Sequence, residues 1–290
     1  RAAEAVSLIM TVSQDAMRKL MREGIENGHT ASDIAAAISM QSDNAINMER
    51  LNYIKGLIDG ATQIVEQMYI PDLLAIASFY PEWTQVGAGL GNYLVYGDIP
   101  QNGISDVSKF RFPRGAILNK NLSEVLSVDP TDTSQVQEEI AHSWYEYSGG
   151  KTSLHPWEGE TSPKYTGPKP PYKQLDENAR YSWLKSPRWK GNAMEVGPLA
   201  RMLVGYASGK TEFKDVVNDA LGALKLPATA LLSTLGRTAA RGLETRLAVR
   251  WLLDEYNNLV ANLKAGDSST ADTSKWDPST WPTDVKGYGF

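Results

Sequence analysis

PATALLSTLGRTAARGLETRLAVRWLLDEYNNLVANLK (227–264) is the stretch whose reading decides the fold. Leu231, Leu235, Leu243, Leu247, Leu252, Leu259 and Leu263 mark one apolar face at helical spacing, and no proline follows Pro227 within it. A helix of ~38 residues is ~57 Å long. An element of that length packs against other long helices, so a mainly α fold built on a long-helix bundle is expected.

Upstream, Ala193–Ala207 and Glu212–Leu224 read as moderate helices. The N-terminal third is helical as well. Val6, Met10, Met17, Leu20 and Met21 space a helix over 2–23, and Asp33–Ser39 forms a short Ala-rich one. From Ile46 to Tyr69 the stripe Leu51, Ile54, Leu57, Ile58, Ala61, Ile64, Val65 and Met68 predicts another, which Pro71 ends before Asp72 starts a short apolar helix to Phe79.

Between these helical ends lies a Pro-, Gly- and aromatic-rich insertion over 81–187. Tyr93–Tyr96 and Phe110–Leu118 read as short strands, and Ser134–Tyr147 as one amphipathic helix. The loop 148–172 holds Trp157, Tyr165 and Tyr172 among five prolines, and so many rings are expected to pack on one another. One α+β domain over 1–290 follows: helical 1–80, irregular 81–187, helical 188–265, and an irregular tail 266–290.

With a net charge of −5 and basic residues scattered among acids, the chain gives no electrostatic reason for nucleic acid. No stretch approaches the ~20 apolar residues that span a bilayer, so direct membrane insertion is not expected. Cysteine is absent, which removes disulfides, thiolate nucleophiles and iron–sulfur ligation together. Residue 1 is Arg and RAAEAV reads as helix interior, which points to a fragment or processed chain.

Few motifs carry chemistry. Gly87, Gly89 and Gly91 lack the spacing and the preceding strand of a dinucleotide loop, and read as a tight irregular turn. His29, His142 and His155 are too scattered for a self-contained metal site. His142 is expected as a hydrogen-bonded core histidine on the 134–147 helix, and His155 inside the aromatic loop. No GxSxG surrounds a serine, and Glu138–Glu139 reads as a solvated helix face. The stretch 181–199 is different: Lys185, Arg188 and Glu195 stand among rings and apolar residues just before a helix. Charges on an apolar background are costly unless paired or functional. Glu195 gains from the helix start, while Lys185 and Arg188 have no such local partner.

At this point the sequence becomes recognisable. YSWLKSPRWKGNAMEVGPLAR (181–201), HSWYEY (142–147), LHPWEGETSPKYTGP (154–168) and STLGRTAARGLE (233–244) resemble the large subunit of [NiFe] hydrogenases. The likeness continues through INMERLNYIKGLID (46–59), YIPDLLAIASFYPEW (69–83), RGAILN (114–119) and NLVANLKAGDSSTADTSKWDPSTWP (258–282). These words run in collinear order from about Ala45 to Gly289 and are most similar to the membrane-bound uptake type.

The resemblance implies a mostly helical subunit around a NiFe(CN)2(CO) centre that oxidises hydrogen by heterolytic cleavage. It also implies an iron–sulfur small subunit as partner, a membrane cytochrome b reached through that subunit, and a place on the periplasmic side of the membrane. In the family the metals are held by two cysteine pairs, and neither motif occurs in this chain. RAAE resembles sequence just past the first motif, and DVKGYGF resembles sequence just before an arginine-bearing APRG stretch. Asn192 stands where the family has histidine, and residues 5–45 match poorly.

No catalytic or metal residue is therefore expected here, and His142, Lys185, Arg188 and Glu195 are expected only as buried polar support near the family's core. The readings that follow are a portion of a hydrogenase large subunit, a metal-free scaffold relative, and an unrelated helical interaction protein.

Overall fold

The computed structural model describes residues 46–285 apart from 102, 104, 172–174 and 268–276. The helices expected over 2–23 and 33–39 lie outside the described residues. Contacts divide the chain into two units, Arg1–Thr62 and Gln63–Phe290. In the first, the described residues belong mainly to helix α1 (Met48–Ile64), whose Leu51 and Ile58 are buried while Leu57 is exposed.

The second unit opens on a widened helical turn, Val65–Tyr69, that runs straight into α2 (Ile70–Ser78). Pro71 therefore does not end the helix as its sequence suggested. The Ile70 amide bonds back five residues to the Val65 carbonyl, and this wider turn carries the chain past the proline. Pro71 directly follows this widened turn, which makes room for a residue without an N–H inside the continuous helix.

Short strands follow. Antiparallel pairs form between β1 (Tyr93–Val95) and β4 (Gly115–Ile117), and between β2 (Asp98–Pro100) and β3 (Phe110–Phe112). A four-stranded antiparallel sheet runs in the order β10 (Asn192–Ala193), β9 (Ser186–Trp189), β5 (Val136–Glu139), β7 (Ser153–Leu154). Strand β6 (Tyr145–Tyr147) pairs with β8 (Thr161–Pro163).

The helix expected over 134–147 is thus replaced by β5 and β6. Val136 and Glu139 pair with Trp189 and Ser186, more than forty residues away, and this long-range pairing overrides a local 3.6 pattern. The expected packing of the aromatic loop holds for Tyr165 and Trp157, while Tyr172 lies outside the described residues. Tyr165 meets Trp144 edge-on at 4.8 Å and stacks with Trp183 at 5.8 Å, and Trp157 meets His155 at 5.3 Å.

The main core is built by α3 (Pro198–Ala207), α4 (Thr211–Leu224) and α5 (Thr234–Lys264). Leu199, Ala200, Met202, Leu203 and Val204 of α3 are buried, with Phe213, Val216 and Val217 from α4 and Leu243, Leu247 and Trp251 from α5 around them. Each fully buried Leu or Phe contributes about 1.5–3 kcal/mol. Tyr93, Val95, Phe112 and Ile117 join the same cluster, so the small sheets lean on the helices.

Helix α5 is shorter than the sequence suggested. Residues Ala228–Leu231 form a separate tight turn, and Ser233 starts the long helix. The buried Ser233 Oγ accepts the Gly236 amide at 3.0 Å and donates to the Ala230 carbonyl at 2.6 Å, a capping geometry that separates the two elements. At 31 residues α5 is about 46 Å long. Leu252, expected on its buried face, is 47% exposed. Helix α3 likewise begins at Pro198, because Asn192–Ala193 is spent in β10.

Candidate functional site

The clearest polar constellation joins three parts of the chain that the sequence alone kept separate. Glu195 lies between β10 and α3, and Arg237 one turn into α5. Arg237 Nε donates to Glu195 Oε1 at 2.6 Å and Nη2 donates to Oε2 at 2.7 Å, a side-on bidentate pair. Arg237 Nη1 also donates to the Gly87 carbonyl. The hydrogen bonds it donates to Glu195 hold the guanidinium even more firmly protonated than usual.

The glycine turn is shaped by this pair. Gly87 and Gly89 have φ of 72° and 64°, a left-handed conformation that favours glycine. A Cβ on Gly89 would lie 2.3 Å from Arg237 Nη2, and one on Gly87 would lie 2.0 Å from Thr234 Oγ1. The loop is pinned again by the Thr234 amide, which donates to the Val86 carbonyl at 2.9 Å. On the other side, backbone bonds from Leu94 to Glu195 (2.9 Å) and from Glu195 to Asn92 (2.8 Å) fix Glu195 beside β1.

Tyr93, paired in register with Glu195, is fully buried. Its hydroxyl has no hydrogen-bond partner among the described residues. Burial, and then the Glu195 carboxylate, push the phenol above its ordinary range, with Arg237 acting the other way. Both Glu195 oxygens are engaged by Arg237, so the carboxylate is a positioned anion rather than a free base.

The other expected support residues lie elsewhere. Lys185 Nζ is 2.9 Å from Glu138 Oε2 and sits over the Tyr145 ring. Glu138 is therefore half-buried and paired, not part of a solvated helix face. Arg188 in β9 is registered against Gln137 and Ala193 and donates to the Pro187 carbonyl at 3.1 Å.

His142 is exposed in a loop rather than buried on a helix. Its Nδ1 lies 2.7 Å from the Ala179 carbonyl, and its ring lies 5.5 Å from Tyr181. The core histidine is His155. The Trp157 amide donates to its Nδ1 at 3.0 Å, so Nε2 carries the proton and donates to the Pro130 carbonyl at 2.9 Å.

Arg237 was not singled out from sequence. The signal that could have found it is an arginine on a long helix with no acid three or four residues away, in contrast to Arg241 and Arg250. Further ion pairs tie α5 to its neighbours: Glu244 to Arg201 at 2.7 Å, and Arg246 to Glu66 at 2.8 Å.

An apolar pocket between α2, α4 and α5 is lined by Leu73, Leu74, Leu221, Leu231 and Leu243 and by no titratable side chain. Among the described residues no group of three or more His, Cys, Asp or Glu is placed to hold a metal ion. No described helix is long and apolar enough to cross a membrane.

Comparison with known proteins bears on what this scaffold serves. A family model described as nickel-dependent hydrogenase matches residues 26–290. The chain is 52% identical over 255 residues to the uptake hydrogenase large subunit of Rhizobium leguminosarum bv. viciae, covering 85% of this chain and 43% of that protein. It is 42% identical over 255 residues to the hydrogenase-1 large chain of Escherichia coli K12, covering 85% and 42%. Among solved structures, the Ni-Fe-Se hydrogenase from D. vulgaris Hildenborough superposes with a TM-score of 0.56 at 25% identity, over 78% of this chain and 42% of that one. The chain thus spans less than half the length of these relatives.

Proposed function

The chain belongs to the nickel-dependent hydrogenase family, and from that premise we propose that it is a scaffold portion of an uptake-type large subunit. The observation that carries this reading is the match over 26–290, at 52% identity to an uptake large subunit, in a chain with no cysteine. The parent activity is oxidation of dihydrogen by heterolytic cleavage, with electrons leaving through an iron–sulfur small subunit. That assembly would lie on the periplasmic face of the membrane, with a cytochrome b beyond the small subunit.

The residues present do not fit a thiolate-held nickel–iron centre. Soft thiolates suit such metals, and the donor set here is limited to three histidines, carboxylates and thioethers. No step of the reaction is assigned to this chain's side chains. Its contribution is mechanical: α3 and α5 form a packed frame, and the Glu195–Arg237 pair locks the glycine turn and β1 to that frame. His142, Lys185 and Arg188 serve as polar support around the small sheets rather than as reacting groups.

A second reading is favoured by the absence of even incidental cysteines: a metal-free relative that keeps the frame and its interfaces. One chimera separates the two. The matching segment of the Rhizobium leguminosarum large subunit is replaced by residues 26–290 of this chain, and hydrogen oxidation is measured. Activity above background supports the large-subunit reading. Assembly with the small subunit without activity favours the metal-free one, and failure to assemble while the parent assembles counts against both.

A further inference from the structure

His155 is fully buried, and three consecutive amides rest on it. The Trp157 amide donates to its Nδ1 at 3.0 Å, and the Glu158 and Gly159 amides donate to its carbonyl at 2.9 and 3.2 Å. Through the other ring nitrogen, Nε2 donates to the Pro130 carbonyl at 2.9 Å. One residue thus ties the turn 155–159 to the loop 129–135. The turn continues directly from β7, an outer strand of the four-stranded sheet. It is closely packed there, since a Cβ on Gly159 would lie 2.6 Å from Leu154 Cδ1 and 2.7 Å from Tyr147 Cε1.

A neutral imidazole offers one donor and one acceptor, and both are used here. Protonation would change Nδ1 from acceptor to donor and set it against the Trp157 N–H. The charged ring cannot keep both bonds. Opening of the turn and uptake of the proton are therefore one event.

The charged groups on the surrounding elements are engaged or turned to water. On the loop, Asp129 accepts from Thr131, and Asp132 from Ser134 and Gln135, with Arg114 and Lys190 acting on these two carboxylates. On β5, Glu138 is paired with Lys185, and Glu139 accepts the Ala141 amide. Tyr147 of β6 gives its hydroxyl to the Glu138 and Leu154 carbonyls. Glu158 and Glu160, on and beside the turn, are exposed.

We propose that His155 is a proton-operated latch: in acid its ring leaves the Trp157 amide, and the turn 155–159 parts from the loop 129–135 while the helical frame stays closed. The open turn bares Trp157 and loosens β7 at the sheet edge. The latch stands on this chain's own fold and is independent of the large-subunit reading. An exposed imidazole titrates at about pH 6.5, so an open turn that takes up one proton gains roughly twentyfold in population between pH 7 and pH 5.

Deuterium exchange of the 290-residue chain at pH 7, 6 and 5, corrected for the intrinsic rate of each amide, tests this. Exchange at Trp157, Glu158 and Gly159 should rise roughly twentyfold across the range, with buried Leu203 and Val204 of α3 unchanged. His155→Gln should abolish the rise. Glu158→Gln, His29→Gln and His142→Gln should each keep it.

A flat profile at the three amides overturns the latch. So does a rise shared with Leu203 and Val204, which is global acid unfolding, and so does a rise that survives His155→Gln. Where His155→Gln fails to fold, the other three variants decide, because loss of the rise in any of them assigns the proton elsewhere and overturns the latch.

Discussion

Arg237 grips Glu195 through two parallel hydrogen bonds of 2.6 and 2.7 Å while its remaining nitrogen reaches the Gly87 carbonyl, so one guanidinium ties together three segments of the chain. Both side chains are mostly buried, at 25% and 20% exposure. Removing one partner leaves the other charge poorly solvated, which costs more than the pair contributes on balance. Glu195→Gln should therefore lower unfolding stability by about 2 kcal/mol, and Arg237→Gln by at least as much, because it also frees the Gly87 carbonyl. Urea denaturation of the two variants and the double variant checks this. The double variant should be less destabilised than the sum of the singles.

The same cluster fixes the behaviour of its glycines. Gly89→Ala meets a positive φ and places a methyl against Arg237, so a loss of about 2 kcal/mol is expected. Gly222→Ala, inside α4 with nothing within 4 Å of the new carbon, should instead stabilise by up to about 1 kcal/mol. Thermal melts of the pair give opposite shifts if the local geometry is right.

Much of the helical frame was legible in the sequence, because α1, α3, α4 and α5 each show their own period and their own stop or start signals. Leu243 and Leu247 sit in the core where the heptad-like spacing put them. The part that was not legible depends on residues far apart in the chain. Strands of three or four residues, such as β5 and β9, carry too little local pattern, and their pairing of Val136 with Trp189 is a tertiary fact. The site divides in the same way. Glu195 stood out as a charge on an apolar background, but its partner lay 42 residues away on a helix face that reads as ordinary surface. His142 was misplaced for the same reason, since a wrongly expected helix over 134–147 carried it into the core, whereas His155 packs in the aromatic loop as expected.

The start of α5 provides a third prediction. Ser233 is buried, caps the helix and bonds back to Ala230, so Ser233→Ala loses a cap and leaves the Gly236 amide unpaired. A loss of about 1–2 kcal/mol is expected. Ser233→Asp supplies the capping acceptor but buries a charge, and should not rescue it. Denaturant midpoints of the two variants decide the point.

Stability at high pH should follow Tyr147. Its ring is buried, and burial, followed by the Glu138 and Glu139 carboxylates, pushes the phenol up to about 12 from its ordinary value of 10. Below pH 10 the phenol is protonated in both folded and unfolded chains, and it adds no slope. As pH rises from 10 through about 12 the unfolded chain ionises first, so stability is lost across that window. Tyr147→Phe should lessen the slope of this part of the profile, to which the raised Tyr93 phenol also contributes, while lowering stability at neutral pH by about 1 kcal/mol, from the lost hydrogen bonds to the Glu138 and Leu154 carbonyls. Unfolding measured across the alkaline range for both chains checks the sign.

The most direct test of the central claim is the metal content of the purified 290-residue chain after expression in a host that matures nickel–iron hydrogenases. A frame without thiolates should carry neither nickel nor iron in stoichiometric amount. One nickel and one iron per chain would contradict the account outright, because the metals would then be held without any thiolate.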